Sequence, residues 1–193
     1  SKLLRTKGFE SLLEKLTKFV PIQKETKDFV MLKSELEGNS LCPIVIDCLN
    51  VTYSPNHWLS HDLRKLACVI KYFLQLGITD LKIVSPRWIK ESDYIGLLYI
   101  LESTDMMVYS PHTSGRKRHD DDIFVLKIAM HKSACVVSND RYAQYILNDE
   151  SIFKEIIENR LIPYVLIDDS IFIPSDPPNG EGGMRLADML KKK

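Results

Sequence analysis

Residues 41–51 read Leu-Cys-Pro-Ile-Val-Ile-Asp-Cys-Leu-Asn-Val, and at this point the character of the chain changes. Ile44-Val45-Ile46 is a continuous β-branched run, as suits a strand covered on both faces, and it ends directly in a carboxylate, Asp47. Three similar runs follow: Leu81-Lys82-Ile83-Val84, Met106-Met107-Val108-Tyr109 and Ala134-Cys135-Val136-Val137. Between them the spacing of apolar residues predicts helices at about 61–76, 92–103 and 121–132, with ends good to a few residues. Short β-rich runs alternating with amphipathic stretches are the pattern of βαβ units, so the expected class is α/β with a mostly parallel central sheet. Further on, Tyr164-Val165-Leu166-Ile167, Asp168-Asp169 and Ile171-Phe172-Ile173 predict a closing hairpin, and Leu186 to Leu190 a last helix.

Upstream of Leu41 the period is helical. Leu3, Leu4, Phe9, Leu12, Leu13, Leu16, Phe19 and Val20 fall on one side of an amphipathic helix, with Gly8 a point of interruption and Pro21 its stop. A short second helix is expected around Asp28 to Leu36. Residues 1–40 are therefore read as an N-terminal helical extension that packs on the domain or contacts a partner, and residues 41–193 as the domain. The Ser1 start and the Lys191-Lys192-Lys193 end suggest a processed or excised piece.

Composition narrows the function. With 193 residues, 45% hydrophobic and 27% charged, the chain supports one core of ordinary size and is not disordered over most of its length. Twenty-six Lys+Arg balance 26 Asp+Glu, which excludes a wholly basic, histone-like binder. A polyanion would have to meet a local patch. Cys42, Cys48, Cys68 and Cys135 have no C-x-x-C spacing and sit in apolar runs, as expected of buried thiols in a reducing compartment rather than of a disulfide or zinc framework. No stretch approaches the ~20 apolar residues of a membrane span, and the N-terminus lacks the order of a signal peptide. A soluble, cytoplasmic protein with no membrane partner is expected.

In open parallel sheets the ligand crevice lies beyond the carboxyl ends of the strands, so the residues just after each apolar run are the candidates. They are acidic. Asp47 ends the first run, with Asn50 three residues on; Ser138-Asn139-Asp140 follows the fourth; Asp120-Asp121-Asp122 stand at the front of a predicted helix. Helix capping alone accounts for Asp120 to Asp122 or for Asp140. It does not account for Asp47, because a carboxylate closing a buried strand is costly unless it is exposed in a cleft, paired or bound to metal. Carboxylates from three segments make an oxygen-donor set for a hard divalent cation, Mg²⁺ with Mn²⁺ as substitute, and such an ion can activate water against a phosphodiester.

The loop Ser110 to His119, S-P-H-T-S-G-R-K-R-H, brings Arg116, Lys117 and Arg118 beside the acidic triplet, where they would hold phosphates; a solvated surface run is the plainer alternative. Arg64 and Lys90 are expected to face the same cleft. Trp88 suits base stacking as well as core packing. Cys48 has no histidine placed to make it a nucleophile, Leu49 stands where an aspartyl-nucleophile phosphatase would have a second Asp, the acidic pair of a phosphate-accepting receiver is missing, and there is no glycine-rich nucleotide loop.

The succession P-I-V-I-D-C-L-N-V at 43–51, Y-F-L-Q-L-G at 72–77, L-K-I-V-S-P-R-W-I-K-E at 81–91, D-D-I-F-V-L-K-I-A at 121–129, V-V-S-N-D at 136–140 and P-S-D-P at 174–177 resembles the NYN (PIN-like) ribonuclease domain of the Regnase, or MCPIP, family. The likeness covers nearly everything after the N-terminal extension. It implies a three-layer PIN-like fold and a Mg²⁺-dependent endoribonuclease acting on single-stranded or stem-loop RNA, in messenger RNA decay or RNA silencing, in the cytoplasm or in RNA granules. It also implies association through this domain, with a second copy or a paralogous NYN protein. Residue by residue, the family's catalytic and metal-binding carboxylates fall on Asp47, Asp121, Asp122 and Asp140, its Asn on Asn50, and its RNA-binding basic residues on Arg64 and 116–118. Cys48-Leu49 replaces the family's Gly-Ser, Asp120 stands where relatives carry an aromatic residue, and Ile89 stands where they carry a basic one. The altered D-C-L-N turn leaves a second reading open: a scaffold or RNA-binding subunit that pairs with an active paralogue. A DNA nuclease with a PIN-like site is the third.

Overall fold

Five strands, β1 (Ile44–Asp47), β2 (Leu81–Ser85), β3 (Met107–Tyr109), β4 (Cys135–Val137) and β5 (Leu161–Ile162), lie side by side in the order β3-β2-β1-β4-β5. The computed structural model describes residues 2–22, 24–58, 60–91, 93–111, 119–146, 152–176 and 182–192. Every pairing in this sheet is parallel, with Ile44 opposite both Leu81 and Cys135. The runs are continuous in sequence because the central strands are covered on both sides: every residue of β1 and of β4 is buried.

Alternation along β1 divides the interior in two. Ile44 and Ile46 join the larger core with Leu66, Ile70 and Phe73 of α4 (Arg64–Gln75), whereas Val45 faces Val125, Leu126 and Ala129 of α6 (His119–Lys132). The result is the expected three-layer α/β arrangement. Gly77, at φ +87°, turns the chain out of α4, in a conformation that costs other residues more. The expected helix at 92–103 is shorter: a 3₁₀ turn over Arg87–Glu91 comes first, and α5 (Ile95–Ser103) follows. The hairpin forms as β6 (Val165–Ile167) and β7 (Ser170–Phe172), antiparallel.

The N-terminal helices belong to the same interior. Leu12, Leu16 and Val20, in and just beyond α1 (Lys2–Thr17), and Phe29, Leu32 and Leu36 of α2 (Lys27–Leu36) are buried in the larger core. The alternatives for residues 1–40 thus resolve toward packing on the domain, and Gly8 does not interrupt α1. Thr26 caps α2 by accepting from the Phe29 backbone N–H at 3.2 Å. The Lys71 ammonium, buried under this layer, donates to the carbonyls of Val20 at 3.0 Å and Pro21 at 2.7 Å, which ties the segment after the first helix to α4. No helix among the described residues is long and apolar enough to cross a membrane.

The chain steps outward from β1 to β2 and β3, then crosses back to β4 and β5 on the other side. The strand order therefore reverses between β1 and β4, and the crevice of a parallel sheet opens at the carboxyl ends of those two strands.

Candidate active site

Asp47 is the last residue of β1 and the N-cap of the short helix α3 (Cys48–Thr52): its Oδ1 accepts from the Asn50 backbone N–H at 3.3 Å. Its Oδ2 accepts from the Tyr142 hydroxyl at 2.6 Å and the Ser138 hydroxyl at 3.1 Å. The carboxylate is only 6% exposed, and burial, reinforced by the nearby Asp140 charge, outweighs these donors and raises its affinity for a proton. Tyr142 is completely buried and reaches Asp47 from a left-handed backbone at φ +49°, an uncommon conformation for a bulky residue. Where Asp140 was open to reading as a helix cap, the chain makes this strained turn and a 3₁₀ turn over Ala143–Tyr145. Asp140 braces it, its Oδ1 accepting from the Tyr142 N–H at 2.8 Å.

Asn50 ties β1 to β4. Its Oδ1 accepts from the Asn139 backbone N–H and from the Tyr164 hydroxyl, both at 2.8 Å. Asn139 and Tyr164 in turn exchange hydrogen bonds, Asn139 Nδ2 to the Tyr164 carbonyl and Tyr164 N–H to Asn139 Oδ1, each at 3.0 Å. The Asn50 carbonyl oxygen thus fixes the geometry of the crevice, and Asn50 itself lines the acidic pocket. On the other wall, Ser110, just beyond β3, donates to Asp121 Oδ1 at 2.6 Å and anchors the front of α6.

Asp47, Asp121, Asp122 and Asp140 line one small pocket of about 10 Å³ with Asn50, Leu49, Ser85 and Pro86 around it. That is the room of roughly one water molecule or monatomic ion. Among the described residues no three His, Cys, Asp or Glu side chains close on a common point as a metal cage would. The donor set nevertheless suits a hard cation: it is oxygen only, and Mg²⁺ keeps most of its waters and binds through one or two carboxylates. Cys48 is buried, its thiol pushed up to about 12 chiefly by burial, so it is not a poised nucleophile. Asp120 lies in α6, and its side chain is outside the described set.

The basic residues differ in their partners. Arg64 is paired with Asp62 at 3.0 Å and Lys90 with Glu102 at 2.9 Å. Arg87, which sequence reasoning passed over, is exposed and carries its guanidinium 5.9 Å from the centre of the Tyr109 ring, with no carboxylate partner among the described residues. Arg116, Lys117 and Arg118 lie outside the described residues. Ser138, Tyr142, Tyr164 and Ser110 were also missed. Only Ser138 had a signal in sequence, its place in S-N-D.

A family model described as the Zc3h12a-like ribonuclease NYN domain matches residues 40–188. Among solved structures, two of the nuclear protein-only RNase P 2 (PRORP2) of Arabidopsis thaliana are similar in fold. One is 15% identical with a TM-score of 0.54 and covers 90% of this chain and 36% of that one. The other is 18% identical with a TM-score of 0.56 and covers 92% and 37%. The chain thus spans little more than a third of the length of these structures.

Proposed function

The chain belongs to the Zc3h12a-like ribonuclease NYN family, and from that premise we propose that it is a metal-dependent endoribonuclease that hydrolyses single-stranded or stem-loop RNA. The observation that carries this reading is the convergence of Asp47, Asp121, Asp122 and Asp140, from three separate segments, on one ion-sized pocket at the switch point of the sheet. One or two of these four carboxylates would hold Mg²⁺, or Mn²⁺ in its place, directly, and the others through its waters. Such an ion supplies charge neutralisation at the phosphate and an acidified water.

The protein's own groups do the rest. Tyr142 and Ser138 hold Asp47 in one orientation, Asn50 locks the two strand ends together, and Ser110 fixes Asp121. Pre-set donors of this kind cost no reorganisation during the reaction. Arg87, with Arg64, Lys90 and residues 116–118, would steer the RNA backbone. Residues 41–193 would be the ribonuclease domain and 1–40 its helical extension, a division supported by the family match beginning at residue 40. Messenger RNA decay or RNA silencing in the cytoplasm is the setting this activity suits.

A second reading, an RNA-binding subunit that relies on an active paralogue, draws on Leu49, an apolar side chain lining the pocket. Incubating labelled single-stranded RNA with the chain in Mg²⁺ or EDTA separates the two. The enzyme cuts in Mg²⁺ alone, whereas the subunit binds RNA and leaves it intact with either Mg²⁺ or Mn²⁺. DNA of the same sequence shows whether the 2′-hydroxyl is read.

A further inference from the structure

Both tryptophans of the chain are exposed on the same edge of the molecule: Trp58 is 64% and Trp88 40% accessible, with Tyr53 at 52% beside them. They stand on two segments that leave the acidic pocket. Residues 53–63 follow α3, whose cap is Asp47, and residues 86–94 follow β2, whose last residues Val84 and Ser85 line the pocket together with Pro86. The rings are held, not loose. The loop is pinned by Ser54 N–H to the Ser60 carbonyl and Asp62 N–H to the Thr52 carbonyl, each at 2.8 Å, with Ser60 at φ +57° at the bend.

A chain of braces runs from the core to the surface. The fully buried Thr52 hydroxyl meets His61 Nδ1 at 2.9 Å; the His61 ring meets Trp88 T-shaped at 5.3 Å and Tyr53 at 6.2 Å. Trp58 Nε1 donates to Asp93, which also lies 3.4 Å from His57 Nε2, so the second indole is tied to the Trp88 segment as well. Among the described residues of 53–61 and 86–94, the exposed large apolar side chains are all aromatic. Arg87, the cation with no carboxylate partner there, sits next to Trp88.

We propose that Tyr53, Trp58 and Trp88 form a stacking shelf for unpaired bases of an RNA strand whose backbone enters the acidic pocket. The proposal rests on reading that pocket as a phosphodiester site. Aromatic faces accept any base, cations beside them accept phosphate, and a rigid loop loses little freedom on binding. The place of these rings, on segments that leave the acidic pocket and beside an exposed arginine, favours bases of a bound strand over a protein partner.

The test uses the full chain carrying Asp47→Asn, so that RNA survives the experiment, and reads intrinsic tryptophan emission, which comes from this shelf alone. A short oligoadenylate should quench the emission, while the same strand paired with its complement, or an abasic strand of equal length, should quench little. Trp58→Ala and Trp88→Ala, both surface changes, should each weaken oligoadenylate binding about tenfold. Unchanged affinity in both variants overturns the shelf. So does a concentration-dependent dimer that Trp58→Ala disperses with no effect on RNA, since the edge would then belong to a protein contact. Cleavage by the parent chain in Mg²⁺ is scored separately. If it cuts and the tryptophan variants bind and cut unchanged, the shelf fails and the nuclease reading stands; if the shelf binds and quenches but the parent never cuts, the reverse holds.

Discussion

At their amino ends, β1 and β4 meet through sulfur and hydrocarbon: Cys42 and Cys135 lie 3.7 Å apart, the Cys42 N–H donates to the Leu190 carbonyl at 2.7 Å, and the Cys135 thiol to that of Met189 at 3.4 Å. At their carboxyl ends, only a few residues away, the same strands meet through Asp47, Ser138, Tyr142, Asn50, Asn139 and Tyr164. The amino end buries apolar side chains and thiols that find backbone carbonyls as partners. The carboxyl end buries a carboxylate whose proton affinity rises with burial and keeps a bulky tyrosine at positive φ, two features that lower stability. Natural proteins tolerate such features where function requires them, so the contrast supports the site proposed at the carboxyl end.

The contrast breaks most visibly at Asp47. Asp47→Asn keeps the shape and removes the buried charge, so we expect RNA cleavage to fall by about a hundredfold or more while the melting temperature stays level or rises. Single-turnover cleavage and a thermal melt on one preparation check both; a marked fall in melting temperature would contradict the contrast. Ile44→Ala at the other end does the opposite. Ile44 is wholly buried, and the substitution should cost about 2–5 kcal/mol in a urea titration with the turnover of the folded fraction retained. Tyr142→Phe sharpens the comparison: losing the hydroxyl donor to Asp47 should cost about 1 kcal/mol and about tenfold in cleavage, leaving Asp47 with Ser138 and the Asn50 N–H.

The smallest effect concerns Asp62 and Arg64 at the base of the aromatic loop. Burial pushes the Asp62 carboxyl up, but the Arg64 hydrogen bonds and charge more than offset it and hold it below the ordinary carboxylate range. A lowered folded value stabilises above the unfolded value, near pH 4, and that contribution disappears as pH falls through the folded one. Because the arginine is largely exposed, the pair should contribute under about 1 kcal/mol. Urea midpoints of Asp62→Asn and the parent should therefore differ at pH 7 and converge in acid.

The first four strands and the acidic segments behind them were legible, most clearly β1 and β4, because these two are covered on both faces, which turns each into an unbroken apolar run ending in polar residues. β5 was not, since two residues, Leu161–Ile162, carry no period. Tyr142 and Ser138 were invisible as partners of Asp47 because the pairing spans more than 90 residues and, for Tyr142, depends on a left-handed turn that no residue type announces. Basic residues were readable as charges but not as pairs: only the fold shows Arg64 and Lys90 bound to carboxylates and Arg87 without one. Trp58 stood in a loop without a motif, and its importance comes from the segment that folds beside it.

The central claim is that the carboxyl end of β1 and β4 hydrolyses RNA with a metal and water. The most direct measurement is the chemistry of the product ends when the parent chain meets labelled single-stranded RNA in Mg²⁺. Attack by water leaves linear phosphate ends, and we predict these with Mg²⁺ only, absent in EDTA and in Asp47→Asn. Cutting that persists in EDTA and leaves 2′,3′-cyclic phosphate, or folded protein that binds the strand and never cuts it with Mg²⁺ or Mn²⁺, would contradict the account.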